Sequence, residues 1–149
     1  MKTAIVYYSY HHGNTKKLLD AIAGACEVTL IDAAQPSTVD LQEYDLIGFA
    51  SGIYAGKFHK SVLRFAEKSL PRMKKVFFIY TYGAKREGYT TAITKAVNLK
   101  GADIRGEYGC AGFNTFGPFK LIGGTCKGHP DQKDLDGAVE FYKSLAGQV

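Results

Sequence analysis

The chain has 149 residues, 46% of them apolar or aromatic and 22% charged, which suits one globular domain, spanning 1–149, with a full core. Its net charge is +5, but the lysines are scattered and no basic run interleaves with aromatics, which argues against nucleic acid as a partner. The longest apolar runs are of strand length, far short of a membrane span.

Met1-Lys2-Thr3 leads straight into a first apolar run, Ala4-Ile5-Val6-Tyr7-Tyr8, so no signal peptide is expected. The polar stretch Ser9-Tyr10-His11-His12-Gly13-Asn14-Thr15 follows. Beyond it, apolar residues at 18, 19, 22 and 26 recur at helical spacing. The unit reads as strand, loop, helix. Such a loop directs hydroxyls and free backbone N–H groups to one spot at the positive end of a helix dipole, which suits a phosphate. The same residues also suit an ordinary capped turn, with Asn14 or Thr15 as N-cap and Gly13 easing the bend.

Other phosphate motifs do not match. The P-loop pattern G-x-x-x-x-G-K-S/T is absent; Gly52-Ile53-Tyr54-Ala55-Gly56-Lys57-Phe58 is one residue short and ends in Phe. The dinucleotide fingerprint G-x-G-x-x-G is absent too. Ser9 and Thr15 stand where a low-molecular-weight tyrosine phosphatase needs Cys and Arg. Tyr7-Tyr8-Ser9 and Ser51 stand where a receiver domain needs acids. What remains is a loop that binds phosphate without attacking it.

Further along, Glu27 to Asp32 reads as a second strand, and Ala33 to Glu43 as a loop with a short helix at most. Asp45 to Ala50 is apolar on both faces, as a central parallel strand should be. It runs into a loop, Ser51 to His59. Helical spacing in Val62, Leu63, Phe65, Ala66 and Leu70 is stopped by Pro71. Lys75 to Tyr80 is the strongest strand signal, with exit loop Thr81 to Gly88 and a helix from Tyr89 to Leu99. A fifth strand near Asp103 to Cys110 is interrupted by Gly106 and Gly109. Ala111 to Pro130 is too long for a plain connector, and a last helix carries Leu135, Ala138, Val139, Tyr142 and Leu145 at helical spacing.

Five such βα units predict an α/β fold in three layers, a doubly wound five-stranded parallel sheet of order 2-1-3-4-5. In that order the loops after strands one, three and four meet at the switch point where ligands sit. All three are rich in Gly, Ser, Thr and aromatics.

On these residues the chain resembles the flavodoxin-like family of short-chain type. Ser-x-x-x-Gly-Asn-Thr after the first strand resembles its FMN-phosphate loop. Tyr44-Asp45-Leu46-Ile47-Gly48 leading into Ala50-Ser51-Gly52-Ile53-Tyr54 resembles its first ring loop, and Thr81-Tyr82-Gly83 its second. The first loop is one residue longer than usual, and His12 sits where Ser or Thr is typical.

The resemblance implies FMN as cofactor. Its binding set would be Ser9, Tyr10, His11, His12, Gly13, Asn14, Thr15, Ser51, Gly52, Ile53, Tyr54, Gly56, Thr81, Tyr82, Gly83 and Gly88. Ser9, Asn14 and Thr15 would donate side-chain hydrogen bonds to the phosphate, and backbone N–H groups from His11 to Thr15 would complete the cradle. Tyr54 would stack on the ring. Gly52, Gly56 and Gly83 would let backbone approach it, and Thr81, Tyr82 and Gly88 would shape the other wall.

Lys57, Lys60, Arg64, Lys85 and Arg86 lie in or just after the two ring loops. A cation ~8 Å from the ring, at an effective dielectric of ~20, is worth on the order of 2 kcal/mol. The expectation is an easily reached, fully reduced flavin and an acidic partner or substrate nearby. His11, His12, His59 and His129 are scattered with no helical pairing, so no metal site is expected. Cys26, Cys110 and Cys126 are odd in number and widely spaced, which fits idle thiols in a reducing cytoplasm.

Two functions fit this pattern. One is an FMN-binding electron carrier serving a redox partner protein; the other is an FMN-dependent reductase or oxidase using NAD(P)H or a quinone. A flavin-free binding module is a third. No catalytic side chain is assigned, because in flavin chemistry the cofactor reacts and the protein tunes it. Gly112 to Phe119 either covers the flavin or packs on itself.

Overall fold

A computed structural model describes residues 1–10, 12–35, 38–115, 121 and 123–148. The chain alternates strand and helix: β1 (Thr3–Tyr8), α1 (Asn14–Ala25), β2 (Thr29–Asp32), a short 3-10 turn (Leu41–Glu43), β3 (Leu46–Tyr54), β4 (Lys57–Phe58), α2 (Lys60–Ser69), β5 (Lys75–Tyr82), α3 (Thr91–Asn98), β6 (Asp103–Ala111) and α4 (Gln132–Ala146). The sheet order is β2-β1-β3-β5-β6, all parallel, with β4 antiparallel on the end of β3. Counting the five parallel strands alone, this is the expected order 2-1-3-4-5.

Alternation along the central strands builds the three layers. Val6, Phe49 and Phe78 point to one face, where they meet Val62 and Ala66 of α2 and Ile93 and Val97 of α3. Ile5, Phe77 and Ile79 point to the other, against Leu18, Leu19 and Ile22 of α1 and Ala138, Tyr142 and Leu145 of α4. Phe49, Phe58, Phe77 and Phe78 are almost fully buried, each worth about 1.5–3 kcal/mol relative to exposure. Gly48 belongs to this packing, because a Cβ there would collide with the Phe77 ring. The Tyr142 hydroxyl donates to Thr3 Oγ1 at 2.7 Å, tying α4 to the first strand.

Three local features differ from the sequence reading. The third strand continues through Ser51 to Tyr54 and folds back as a two-residue hairpin onto β4, where a loop was expected. Its turn residues, Ala55 (φ 52°) and Gly56 (φ 80°), are both left-handed, which matches the twist of a tight hairpin. Neither Asn14 nor Thr15 caps α1: both lie inside its first turn, and Gly13 (φ 63°) is the N-cap with no side-chain bond. The fifth parallel strand is as expected in place, and its weak pattern has a physical cause. It is a sheet edge, half-buried along most of its length, and a side chain at Gly109 would collide with the Tyr80 ring lying over it. No helix among the described residues is long and apolar enough to cross a membrane.

Candidate functional site

The loops following β1, β3, β5 and β6 converge at the carboxyl edge of the sheet on one cleft. Its inner lobe, about 30 Å³, is lined by Ser9, Asn14, Thr15, Gly52, Ile53, Tyr54, Thr81, Tyr82, Gly83, Gly112, Phe113 and Asn114. An outer lobe of about 230 Å³ shares Ile53, Gly83 and Asn114 and adds Gly56, Ala84, Arg86 and Tyr89. Ten of the sixteen expected residues therefore line the cleft. Tyr10, His12, Gly13, Ser51 and Gly88 do not, and His11 lies outside the described residues.

The first loop turns into α1 through two successive left-handed residues, His12 (φ 56°) and Gly13 (φ 63°). The glycine is at home there; the histidine carries a cost of order 1 kcal/mol. The first-turn N–H groups of α1 have no acceptor within the helix, and Ser9 Oγ takes one of them, accepting from the Lys16 N–H at 3.0 Å. Asn14 is 7% exposed. Its Nδ2 donates to the Phe113 carbonyl at 2.7 Å, while its buried Oδ1 has no partner among the described residues. Thr15 and Thr81, both buried, share a hydroxyl–hydroxyl bond of 2.9 Å.

After β3, Tyr54 folds back over Gly52, its ring 3.3 Å from where a Cβ would stand. Tyr8 stacks on His59 with centroids 3.7 Å apart, and both meet Tyr54 at steep angles, 5.7 and 5.1 Å away. Ser51 is fully buried and wires this turn together: its hydroxyl accepts from the His59 N–H at 2.9 Å and donates to the Gly52 carbonyl at 2.5 Å. His59 Nδ1 accepts from the Ser61 N–H and so caps α2. Burial first, and the Lys60 charge second, push the His59 pKa down.

The wall after β5 is aromatic. Tyr82 stacks on Tyr89 at 6.1 Å, and the Tyr89 hydroxyl donates to the Ala84 carbonyl at 2.5 Å. Burial raises the Tyr82 and Tyr80 pKa values, so both phenols are protonated at neutral pH. The Gly83 carbonyl accepts from Thr125 Oγ1 at 3.0 Å and from Cys126 Sγ at 3.3 Å. Gly88 (φ 87°) instead turns the chain into α3.

Gly112, Phe113 and Asn114 complete the cleft and were absent from the expected set. By its sequence, Gly112 to Phe119 either covers a ligand or packs on itself; Gly112, Phe113 and Asn114 line the cleft, while 116–119 lie outside the described residues. His12 Nε2 is 3.0 Å from Thr115 Oγ1 and its ring stacks on Phe113 at 4.5 Å. Asn114 is held by a two-bond backbone bridge to Thr125 and lies against Gly83, where a Cβ would collide with it. The length of the 111–130 connector was the one sequence signal for this wall.

Charge at the mouth is positive. Arg86 lines the outer lobe, and Lys57 and Lys85 stand exposed on the flanking loops. Cys110 is pushed up to about 12, first by burial and then by Asp134 and Asp131, so it is a neutral thiol. All three cysteines are free. Outside the cleft, His129 Nδ1 lies 2.6 Å from Asp134 Oδ2 and 3.8 Å from Asp131 Oδ2. Both carboxylates are spent on the capping box of α4.

A family model described as the flavodoxin domain matches residues 5–109. An uncharacterized protein of Methanocaldococcus jannaschii is 40% identical over 147 residues, covering 97% of this chain and 98% of that one. Oxidised flavodoxin 2 from Bacillus cereus shares the fold with a TM-score of 0.69 at 20% identity, covering 100% of both chains. General stress protein 14 from Treponema denticola, solved in complex with FMN, gives 0.66 at 12% identity, covering 97% of this chain and 99% of that one.

Proposed function

This chain belongs to the flavodoxin family, and from that premise we propose that it binds FMN in the cleft and carries electrons between partner proteins. The observation that carries this reading is Asn14 Oδ1, a buried acceptor without a partner among the described residues, on a residue that lines the cleft in the first turn of α1. An unmet buried acceptor costs about 1–3 kcal/mol. A ribityl hydroxyl is the kind of donor that would satisfy it. The residues present therefore fit the cofactor.

Bound there, FMN supplies one- and two-electron chemistry at its ring. The chain's own residues bind, orient and tune. The first-turn N–H groups of α1 and the Ser9 hydroxyl attract the phosphate at the positive helix end. Tyr54 and Tyr82, on opposite walls, bound the ring slot, and Gly52 and Gly83 keep both walls thin. Ser51 acts behind the wall rather than on the ligand, by locking the turn that presents Tyr54. His12 brings no hydroxyl to the phosphate; it joins the first loop to residues 113–115. Three free cysteines support a reducing compartment such as the cytoplasm.

A second reading is an FMN-dependent reductase acting on NAD(P)H or a quinone, favoured by the open outer lobe with Arg86 on its wall. An absorption titration with FMN, followed by stepwise anaerobic reduction, tests the main reading. A yellow complex that takes up electrons one at a time supports the carrier. Rapid two-electron reduction by NADPH supports the reductase. Failure to bind FMN defeats both.

A further inference from the structure

Two of the stretches that build the cleft are basic. The segment from Ser51 to Ala66 holds Lys57, Lys60 and Arg64 without an acid, and the loop after β5 holds Lys85 and Arg86 with Glu87 alone. Together they carry five cations and one carboxylate. Lys57, Lys60, Lys85 and Arg86 are all exposed, and none is within ion-pair distance of a carboxylate among the described residues. Tyr10, on the first loop of the same edge, is 79% exposed.

These cations lie on two separate stretches around one mouth, Lys57 and Lys60 at β4 and the start of α2, and Lys85 and Arg86 in the loop after β5. Among the described residues Arg86 is the one cation on the cleft wall; Lys57, Lys60 and Lys85 are exposed. That arrangement suits a macromolecular surface. It is a patch on a concave edge, not a basic stripe of the kind that follows a nucleic-acid backbone.

We infer that this edge docks an acidic redox protein, and that Lys57, Lys85 and Arg86 hold its carboxylates around the cleft. The inference rests on the FMN-carrier reading. With FMN held in the cleft, the partner's reduced centre, an iron–sulfur cluster or a flavin, would give up one electron to it per encounter. No bond is made or broken between the two proteins. Complementary charge of this kind raises encounter rates from about 10⁵–10⁶ to as much as 10⁸–10⁹ M⁻¹s⁻¹ at low salt. Screening then removes the gain, because the Debye length is only about 10 Å at 0.1 M.

The test uses an acidic plant-type [2Fe–2S] ferredoxin as probe and a basic c-type cytochrome as counter-probe. Association is measured by calorimetry on the whole protein, with and without FMN, at 20 and 300 mM salt. Expected is ferredoxin binding that weakens at least tenfold at the higher salt and is lost in Lys57→Glu/Lys85→Glu/Arg86→Glu. That triple variant should bind the cytochrome instead. A second variant of equal charge, Lys68→Glu/Lys95→Glu/Lys143→Glu, should keep the ferredoxin, separating this edge from net charge alone. Far-UV circular dichroism and thermal melting verify that both variants fold. Salt-insensitive binding, equal loss in both variants, or tighter binding to duplex DNA or phosphatidylserine vesicles at 150 mM salt overturns the inference. Calorimetry on the flavin-free protein reads docking by itself, whereas a failed FMN titration strikes the function, so the two failures are distinguishable.

Discussion

Thr15 and Thr81 join the two halves of the cleft. Their hydroxyl oxygens lie 2.9 Å apart, buried between the first turn of α1 and the end of β5. The Thr15 hydroxyl thus has a partner within the protein, whatever it offers a phosphate. Thr15→Val leaves the Thr81 hydroxyl buried and unmet, and should cost about 1–3 kcal/mol in denaturant unfolding. Thr15→Val/Thr81→Val removes both polar groups and should recover most of that loss. A double variant as unstable as the sum of the singles would show that the pair does not act as a unit.

Asn14 tests the cofactor directly. Asn14→Leu removes the unpartnered Oδ1 along with the donor to Phe113. The affinity for FMN, read by flavin fluorescence quenching, should fall about three- to tenfold, the worth of one hydrogen bond near 1 kcal/mol. An unchanged affinity would mean that the acceptor meets no ligand hydroxyl.

The β3–β4 hairpin carries avoidable strain. Ala55 sits at φ 52° ahead of Gly56 at φ 80°, a turn for which Asn-Gly is the favoured pair. Left-handed backbone costs a residue with a Cβ about 1–2 kcal/mol, and Asn tolerates it better. Ala55→Asn should raise the melting temperature by about 2–4 °C, for a gain near 1 kcal/mol. Ala55→Val should lower it.

Two histidines should titrate in opposite directions from 6.5. His59 is pushed down by burial, with its Nδ1 accepting the α2 cap. His129 is pushed up by its hydrogen bond to Asp134. Between the folded pKa of His59 and 6.5, the unfolded chain binds more protons. Its contribution is therefore whole above 6.5 and is lost as pH falls through that window. His129 does the reverse: its contribution is present below 6.5 and disappears as pH rises through its folded value. Imidazole proton NMR should order the two, His59 below 6.5 and His129 above it. His59→Asn keeps a capping side chain and should flatten the acid side of the stability curve.

The core was legible because Ala4 to Tyr8, Leu46 to Ala50 and Val76 to Tyr80 are unbroken apolar runs, as strands covered on both faces must be. The edge strand was legible only in place, since Gly106 and Gly109 answer to the Phe141 and Tyr80 rings packed against them rather than to the strand itself. The hairpin was hidden because Ala55 gives no turn signal. In the cleft, Ser9 to Thr15 and Thr81 to Gly83 stood out through spacing after strands. Ser51 has the right spacing, yet its hydroxyl turns inward to His59 and Gly52. Gly112 and Phe113 meet Asn14 across 98 and 99 positions, and no local pattern encodes such a contact.

That separation has a consequence during synthesis. Residues 9–15 leave the ribosome well ahead of the last wall of the cleft: the carbonyl that Asn14 grips belongs to Phe113, and Thr3 waits for Tyr142. At about 5–20 residues per second, roughly 5–20 seconds pass between the two ends of the Asn14 contact. Through that interval Asn14 lacks its Phe113 partner. The cleft is complete only once Gly112, Phe113 and Asn114 have joined it, so a ligand gripped by both walls binds after they are made.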